Sequence, residues 1–295
     1  MRVCSPFVAI VLIAWSHAET VQEPSPERLS RLLKLASDYV TTQERSLTNV
    51  VAEERYVQEV LPAPEIQHRL SQRTPRPQRR TLVSDFLLVK VEAGSALVPF
   101  RDVISVDGRS VSDRSGRLTN LFLRGAPNAA RQAEQITQES ARYNIGVQRT
   151  FNVPVLALTI VEAIHRPRFH FKLRDAGNPT AWVVDYSEYG HPMLVRGSDG
   201  NDLPLTGRVK IDPATGAVME SALEFHDRQV TRGTASSVYG LDPKLGVNVP
   251  LEMNESYDTQ DHVRSTGKAA YSNFRHFEVI TGPSRQPRGH PSMMR

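Results

Sequence analysis

Carboxylates and imidazoles are the residues of this chain that could do chemistry. Glu162, His165 and His170 lie close together in a sequence of 295 residues and resemble a metal cluster. On a strand, positions five apart point to opposite faces, so the two imidazoles should not converge. Solvent-facing or hydrogen-bonded histidines are the expectation there, and equally for His226 and His276. Asp102, Asp107 and Asp113 form one group of acids; Glu252, Glu255 and Asp258 form another. Paired carboxylates do acid–base work only when one is desolvated and the spacing is right. Turn chemistry already accounts for Asp107-Gly108. The sequence contains no G-x-S-x-G elbow, no H-E-x-x-H, no phosphate-binding glycine loop and no G-x-G-x-x-G. Asn254-Glu255-Ser256 fits a glycosylation acceptor pattern. A protein that is not an enzyme is therefore expected, with no catalytic residue, no metal and no cofactor.

Aromatic side chains are better placed to matter. Phe169, Phe171, Trp182, Tyr186, Tyr271, Phe274 and Phe277 all fall on predicted strands. Either they fill the space between sheet and helices, or they line a pocket for an apolar ligand.

The elements that must position them follow from periodicity. Leu205–Phe225 reads as a hairpin. Leu205, Val209 and Ile211 share one face against Arg208 and Lys210; after the turn, Ala217, Met219, Leu223 and Phe225 oppose Glu220 and Glu224. Pro213 and Gly216 supply the turn. Leu29, Leu32, Leu33, Ala36, Tyr39 and Val40 recur at helical spacing, predicting an amphipathic helix from Glu27 to about Leu47. Strands are expected over Asn49–Val60, Thr81–Val91, Leu97–Val106, Pro167–Leu173, Thr180–Glu188, Pro192–Gly197, Pro250–Tyr257 and Val263–Val279. Pro127–Tyr143 reads as a second helix and Pro154–Val161 as a short buried one, both in an inserted helical segment at 114–161. Val238–Val249 reads as a loop.

Composition sets the compartment. Arg2, the apolar run Val8–Trp15 and Ser16-His17-Ala18 predict a cleavable signal peptide over residues 1–18, hence a periplasmic or secreted protein. Cys4 lies inside that signal, so the mature chain carries no cysteine and its core alone must hold it. Nothing after residue 18 is long and apolar enough to span a bilayer. Signal removal lowers the formal charge from +4 to about +3, spread along the chain, which argues against a nucleic-acid partner. The basic stretch 68–80 reads as a solvated loop, or else as a site for anionic head groups. One domain is expected over 19–281, followed by a disordered tail at 282–295.

Two segments carry a family resemblance. The hairpin Gly207–Val218 and the final strand Ala270–Phe277 resemble the lipoprotein-localisation factor (LolA/LolB-like) superfamily. Asn49–Gln58 is similar to uncharacterised secreted bacterial proteins of the acidobacterial type. The resemblance implies an α+β fold: a curved antiparallel half-barrel with helices packed on its concave face. It also implies an exported protein that holds a lipid, acyl chain or other apolar ligand. From face assignment, the lining would be Phe169, Phe171, Trp182, Ile211, Met219, Leu223 and Phe225. The alternative is an envelope structural or interaction module whose core is filled by its own helices and whose partner is another envelope protein.

Overall fold

The computed structural model describes residues 26–48, 50–62, 77–90, 97–118, 129–147, 149, 151–197, 200–227, 230–260 and 262–276. The predicted signal, the tail 282–295, positions 68–76 of the basic stretch and 119–128 of the inserted segment lie outside the described residues. Pro26–Leu47 forms helix α1, with Pro26 at its start and Glu27 in its first turn, both favourable there. Its apolar stripe is buried at Leu32, Leu33, Ala36, Val40 and Leu47.

The strands are β1 (Val50–Pro62), β2 (Gln78–Lys90), β3 (Leu97–Val106), β4 (Arg109–Ser110), β5 (Phe169–Asp175), β6 (Trp182–Glu188), β7 (Val195–Arg196), β8 (Asp202–Leu203), β9 (Thr206–Ile211), β10 (Val218–Phe225), β11 (Val230–Asp242), β12 (Val247–Thr259) and β13 (Val263–His276). Eleven of them make one open sheet in the order β4-β3-β2-β1-β13-β12-β11-β10-β9-β6-β5. Strands β7 and β8 form a separate two-stranded ribbon. Every neighbouring pair is antiparallel. The two halves of the chain meet where β1 pairs with β13, with Val60 opposite Ser265.

Helix α1, the 3-10 run Leu156–Val161 and Phe151 pack on one face of the sheet. Their partners include Val184, Val209, Ile211, Val218, Leu223, Phe225 and Tyr239. Two further helices, α2 (Arg114–Leu118) and α3 (Ala129–Ala141), join β3 to this segment. Here the expectation of helices confined to one face is corrected. Ile136 of α3 packs with Phe100, Val98, Leu87 and Val89, whereas the adjacent Arg101, Phe86 and Leu88 point to the other side. Strands β2 and β3 carry an apolar stripe on each face, so each face takes a cover.

Three boundaries and one register differ from the sequence reading. Gln78, Arg79 and Arg80 begin β2 instead of ending a loop. Arg79 faces Glu59 at 3.5 Å, and Arg80 donates to the Tyr143 carbonyl at 2.9 Å. Val238–Val249, read as a loop, is the end of β11, a tight turn and the start of β12. Asp242 accepts from the Lys244 and Leu245 amides there, and Gly246 takes a φ of 71°. Pro192–Gly197 reduces to the two residues of β7. Finally, a bulge between Val218 and Glu220 displaces Met219, so the fully buried Val218 takes the core position that strict alternation gives to Met219.

The turn Asp212–Gly216 is locked by its own side chains. Asp212 accepts from the Ala214 amide and from the Thr215 hydroxyl at 2.8 and 2.9 Å. Gly216 has a φ of 79°, and a Cβ there would run into the Leu35 backbone of α1. The hairpin therefore rests on the leading helix.

Candidate functional site

The seven residues proposed to line a pocket do not share one environment. Phe169, Ile211, Leu223 and Phe225 are buried in the main core. Phe171 and Trp182 are half-buried at its margin, where Arg28 of α1 lies 5.4 Å from the Trp182 ring centroid. Met219 stands in the bulge, half-buried. What covers the buried four is protein. Phe151 stacks on Phe225 with centroids 3.9 Å apart, and Tyr257 meets Phe225 edge-on at 6.3 Å. Ala157, Leu158, Ile160 and Val161 complete the layer.

Further along the same face, towards β1 and β13, the interior becomes polar. Sequence reasoning missed this, because Glu54, Arg101, Arg149 and Glu255 read as surface charges between apolar neighbours. All four are buried. Glu54 on β1 pairs with both Nε and Nη2 of Arg101 on β3, the second at 2.7 Å. Arg149 Nη1 donates to Glu255 at 2.5 Å, while the Tyr56 and Tyr257 hydroxyls donate to the same carboxylate. Tyr56 lies between the two pairs: the Arg101 guanidinium sits 4.7 Å from its ring centroid and that of Arg149 6.0 Å. With its amide oxygen turned to Arg101, Asn152 bridges Arg101 and the Arg149 carbonyl at 3.1 Å each. Gly267 makes room, since a Cβ would strike Glu255 and the Tyr56 ring.

Electrostatics follow from this packing. Burial and the Glu255 carboxylate push the Tyr56 and Tyr257 hydroxyls far above the usual phenol range, so both stay protonated donors. Burial opposes the Arg101 cation, but Glu54 overcomes it and holds the guanidinium charged. Glu54 is thus held by both Nε and Nη2 of Arg101, and Glu255 by Arg149, Tyr56 and Tyr257. The cluster joins the segment 144–152 to the sheet, and Gln58 adds bonds to Asn144 and to the Ile145 amide at 2.8 and 2.9 Å.

The candidate acid groups separate. Asp102 and Asp85 both bind Arg114, at 2.6 and 2.9 Å. Asp107 occupies a turn with φ 51° and caps the Thr81 amide. Asp113 pairs with Arg142 at 3.3 Å. Glu252 and Asp258 sit on the strand face opposite to Glu255, paired with Lys268 and Arg264. His170 stacks on Tyr189 at 4.0 Å and does not meet His165, which lies in the turn before β5. Among the described residues no three His, Cys, Asp or Glu side chains converge as metal ligands. No described helix is long and apolar enough to cross a membrane.

Several concavities open to solvent, one of about 610 Å³ beside β4 and two at the β5 end of the sheet. A groove of about 420 Å³ runs between the start of α1 and the 163–167 turn, with Leu29, Leu33, Ala163, Pro167 and Phe171 in its wall. A broader trough of about 730 Å³ crosses β5, β6, β9, β10 and β11 on the face away from α1. Its walls are mixed, with charged Lys172, Asp185, Arg208, Glu224 and Arg232 beside apolar Phe171, Ala222 and Leu223.

No family model and no curated protein matches this chain. Among solved structures, a DUF1329 family protein from Desulfovibrio piger is similar at 11% identity and a TM-score of 0.35, covering 84% of this chain and 93% of that one. A LolA superfamily protein from Nitrosomonas europaea is similar at 12% identity and a TM-score of 0.28, covering 85% of this chain and 94% of that one. Neither bears on the acidobacterial resemblance of Asn49–Gln58.

Proposed function

We propose that this chain is an exported, non-enzymatic interaction module of the cell envelope, an open half-barrel whose interior is filled and whose binding takes place on its surface. The supporting observation is Phe151. It lies flat on Phe225, in the space that an acyl chain would need between the sheet and its helices. The segment carrying it is fixed by the buried Arg149–Glu255 pair. The buried carboxylates of this interior are engaged by protein, Glu54 by Arg101 and Glu255 by Arg149, Tyr56 and Tyr257, which favours a structural role for them.

Native mass spectrometry of the purified mature protein tests this. The expected result is the mass of the bare chain, with no lipid in an organic extract. A stoichiometric co-purified lipid would overturn it.

A second reading, apolar-ligand binding, is favoured by the groove beside Leu29, Leu33 and Phe171. It differs from an internal carrier because the ligand would lie against α1 at the surface. Leu33→Trp would then abolish binding of a fluorescent fatty acid that the wild type retains.

A further inference from the structure

We propose that the trough across β5, β6, β9, β10 and β11 is a binding surface for an acidic polysaccharide, a chain of uronate-type sugars. The inference rests on the reading that binding takes place on the surface, and it names the partner.

Charge is the first observation. Two of the four cations in the wall are neutralised: Arg174 by Asp185 at 2.7 Å and Arg232 by Glu224 at 2.8 Å. Lys172 and Arg208 make no ion pair among the described residues, and both are exposed. Cross-strand register sets them on either side of Asp185, which faces Lys172 on β5 and Arg208 on β9. They therefore stand two strand spacings apart, roughly 10 Å. Asp185 is already engaged by Arg174, so the trough offers two separated positive points to a ligand with repeating negative charge. Arginine in particular takes a carboxylate through two parallel N–H donors.

Hydroxyls are the second. Ser187, Thr206, Thr234 and Ser236 line the same trough, and none of their hydroxyls makes a hydrogen bond among the described residues. Each can donate once and accept twice, which suits a polyhydroxylated partner. At the rim His170 and Tyr189 stack 15° from parallel, and Tyr189 is 51% exposed. That flat pair gives the apolar face of a sugar ring a place to rest.

Other anionic partners fit less well. A protein partner wants large aromatic or aliphatic anchors that project to it, whereas exposed side chains of this trough such as Lys172, Arg174, Thr206 and Arg208 are charged or hydroxylated. A membrane surface is met by a protruding basic and apolar face, whereas the trough is recessed.

Binding of the full-length mature protein to polygalacturonate, read by affinity electrophoresis, tests the proposal. The wild type should be retarded, less so at high salt, and not by neutral dextran. Lys172→Glu with Arg208→Glu should weaken retardation by about tenfold or more, both positions being exposed and outside the core. Arg109→Glu with Lys244→Glu changes the net charge equally at sites away from the trough and should leave retardation unchanged. The proposal is overturned by an absence of retardation, by equal loss in the two double variants, by equal retardation in dextran, or by binding to phosphatidylglycerol vesicles in place of the polysaccharide. A lipid-free interior combined with such a result would leave the filled module standing without this partner.

Discussion

Phe151 and Phe225 lie ring on ring, 3.9 Å apart and 20° from parallel, with Phe151 contributed by the segment before the 3-10 run and Phe225 by the end of β10. Both are fully enclosed. The contact converts what the strands alone would leave as a hollow into a packed layer. Phe151→Ala should destabilise the protein by about 3–5 kcal/mol, from lost burial and the cavity left behind. Thermal or urea unfolding measures this. A loss below about 1 kcal/mol would mean that the layer closes without the ring and that Phe151 is not what fills the interior.

The buried ion pairs make a second prediction. Removing one partner strands the other charge in a dry setting, so Arg149→Met should cost about 3–5 kcal/mol. Adding Glu255→Gln to that variant should return part of the loss, since the stranded carboxylate is removed while the amide oxygen still accepts from one of the two tyrosine hydroxyls. A double-mutant cycle in urea reads the coupling. Additive losses would show that Arg149 and Glu255 do not act as a pair.

Acidity supplies the third. Burial, together with the neighbouring Glu44 carboxylate, raises the Glu162 carboxyl from its ordinary 4.5 to about 8. The folded protein thus binds this proton more tightly than the unfolded chain does. The associated stability is complete below pH 4.5 and drains away as pH rises towards 8. Burial of Glu188 works in the same direction, whereas His165, lowered by burial and by Arg168, works in the opposite one. Comparison with Glu162→Gln isolates the term. The variant should lose the decline between pH 4.5 and 8 that the wild type shows. Parallel stability curves for the two proteins across that range would refute the raised Glu162 carboxyl.

Much of this architecture is legible in the residues. The apolar stripe of α1 and the alternation of Val209 and Ile211 against Arg208 and Lys210 translate directly into buried and exposed faces. Other parts are hidden for physical reasons. Strand β11 reads Thr-Ala-Ser-Ser, with little apolar contrast, because its inner face uses Ala235 and Ser237 where Phe225 and Tyr239 supply the bulk. The bulge at Met219 breaks the two-residue period without any local mark in composition. The buried acids and arginines are invisible for a deeper reason. Glu54 and Arg101 are 47 positions apart, and Arg149 and Glu255 are 106 apart, so only the folded sheet brings each charge to its partner. The trough is of the same kind, since its wall is assembled from five strands of mixed sequence separation.

An open sheet has two free borders, and each is a place where a second chain could add a strand. Here one border is β4 together with the rest of β3, where β4 pairs only Ser105 and Val106 and Ser140 of α3 accepts from the Arg101 amide. The other is β5, which sets His170, Lys172 and Arg174 outward along its length. Two copies meeting border to border at β5 would bring their Lys172 ammonium groups close together. Exposed charge on that strand disfavours pairing of two copies there, and neutralising Lys172 would weaken the self-repulsion.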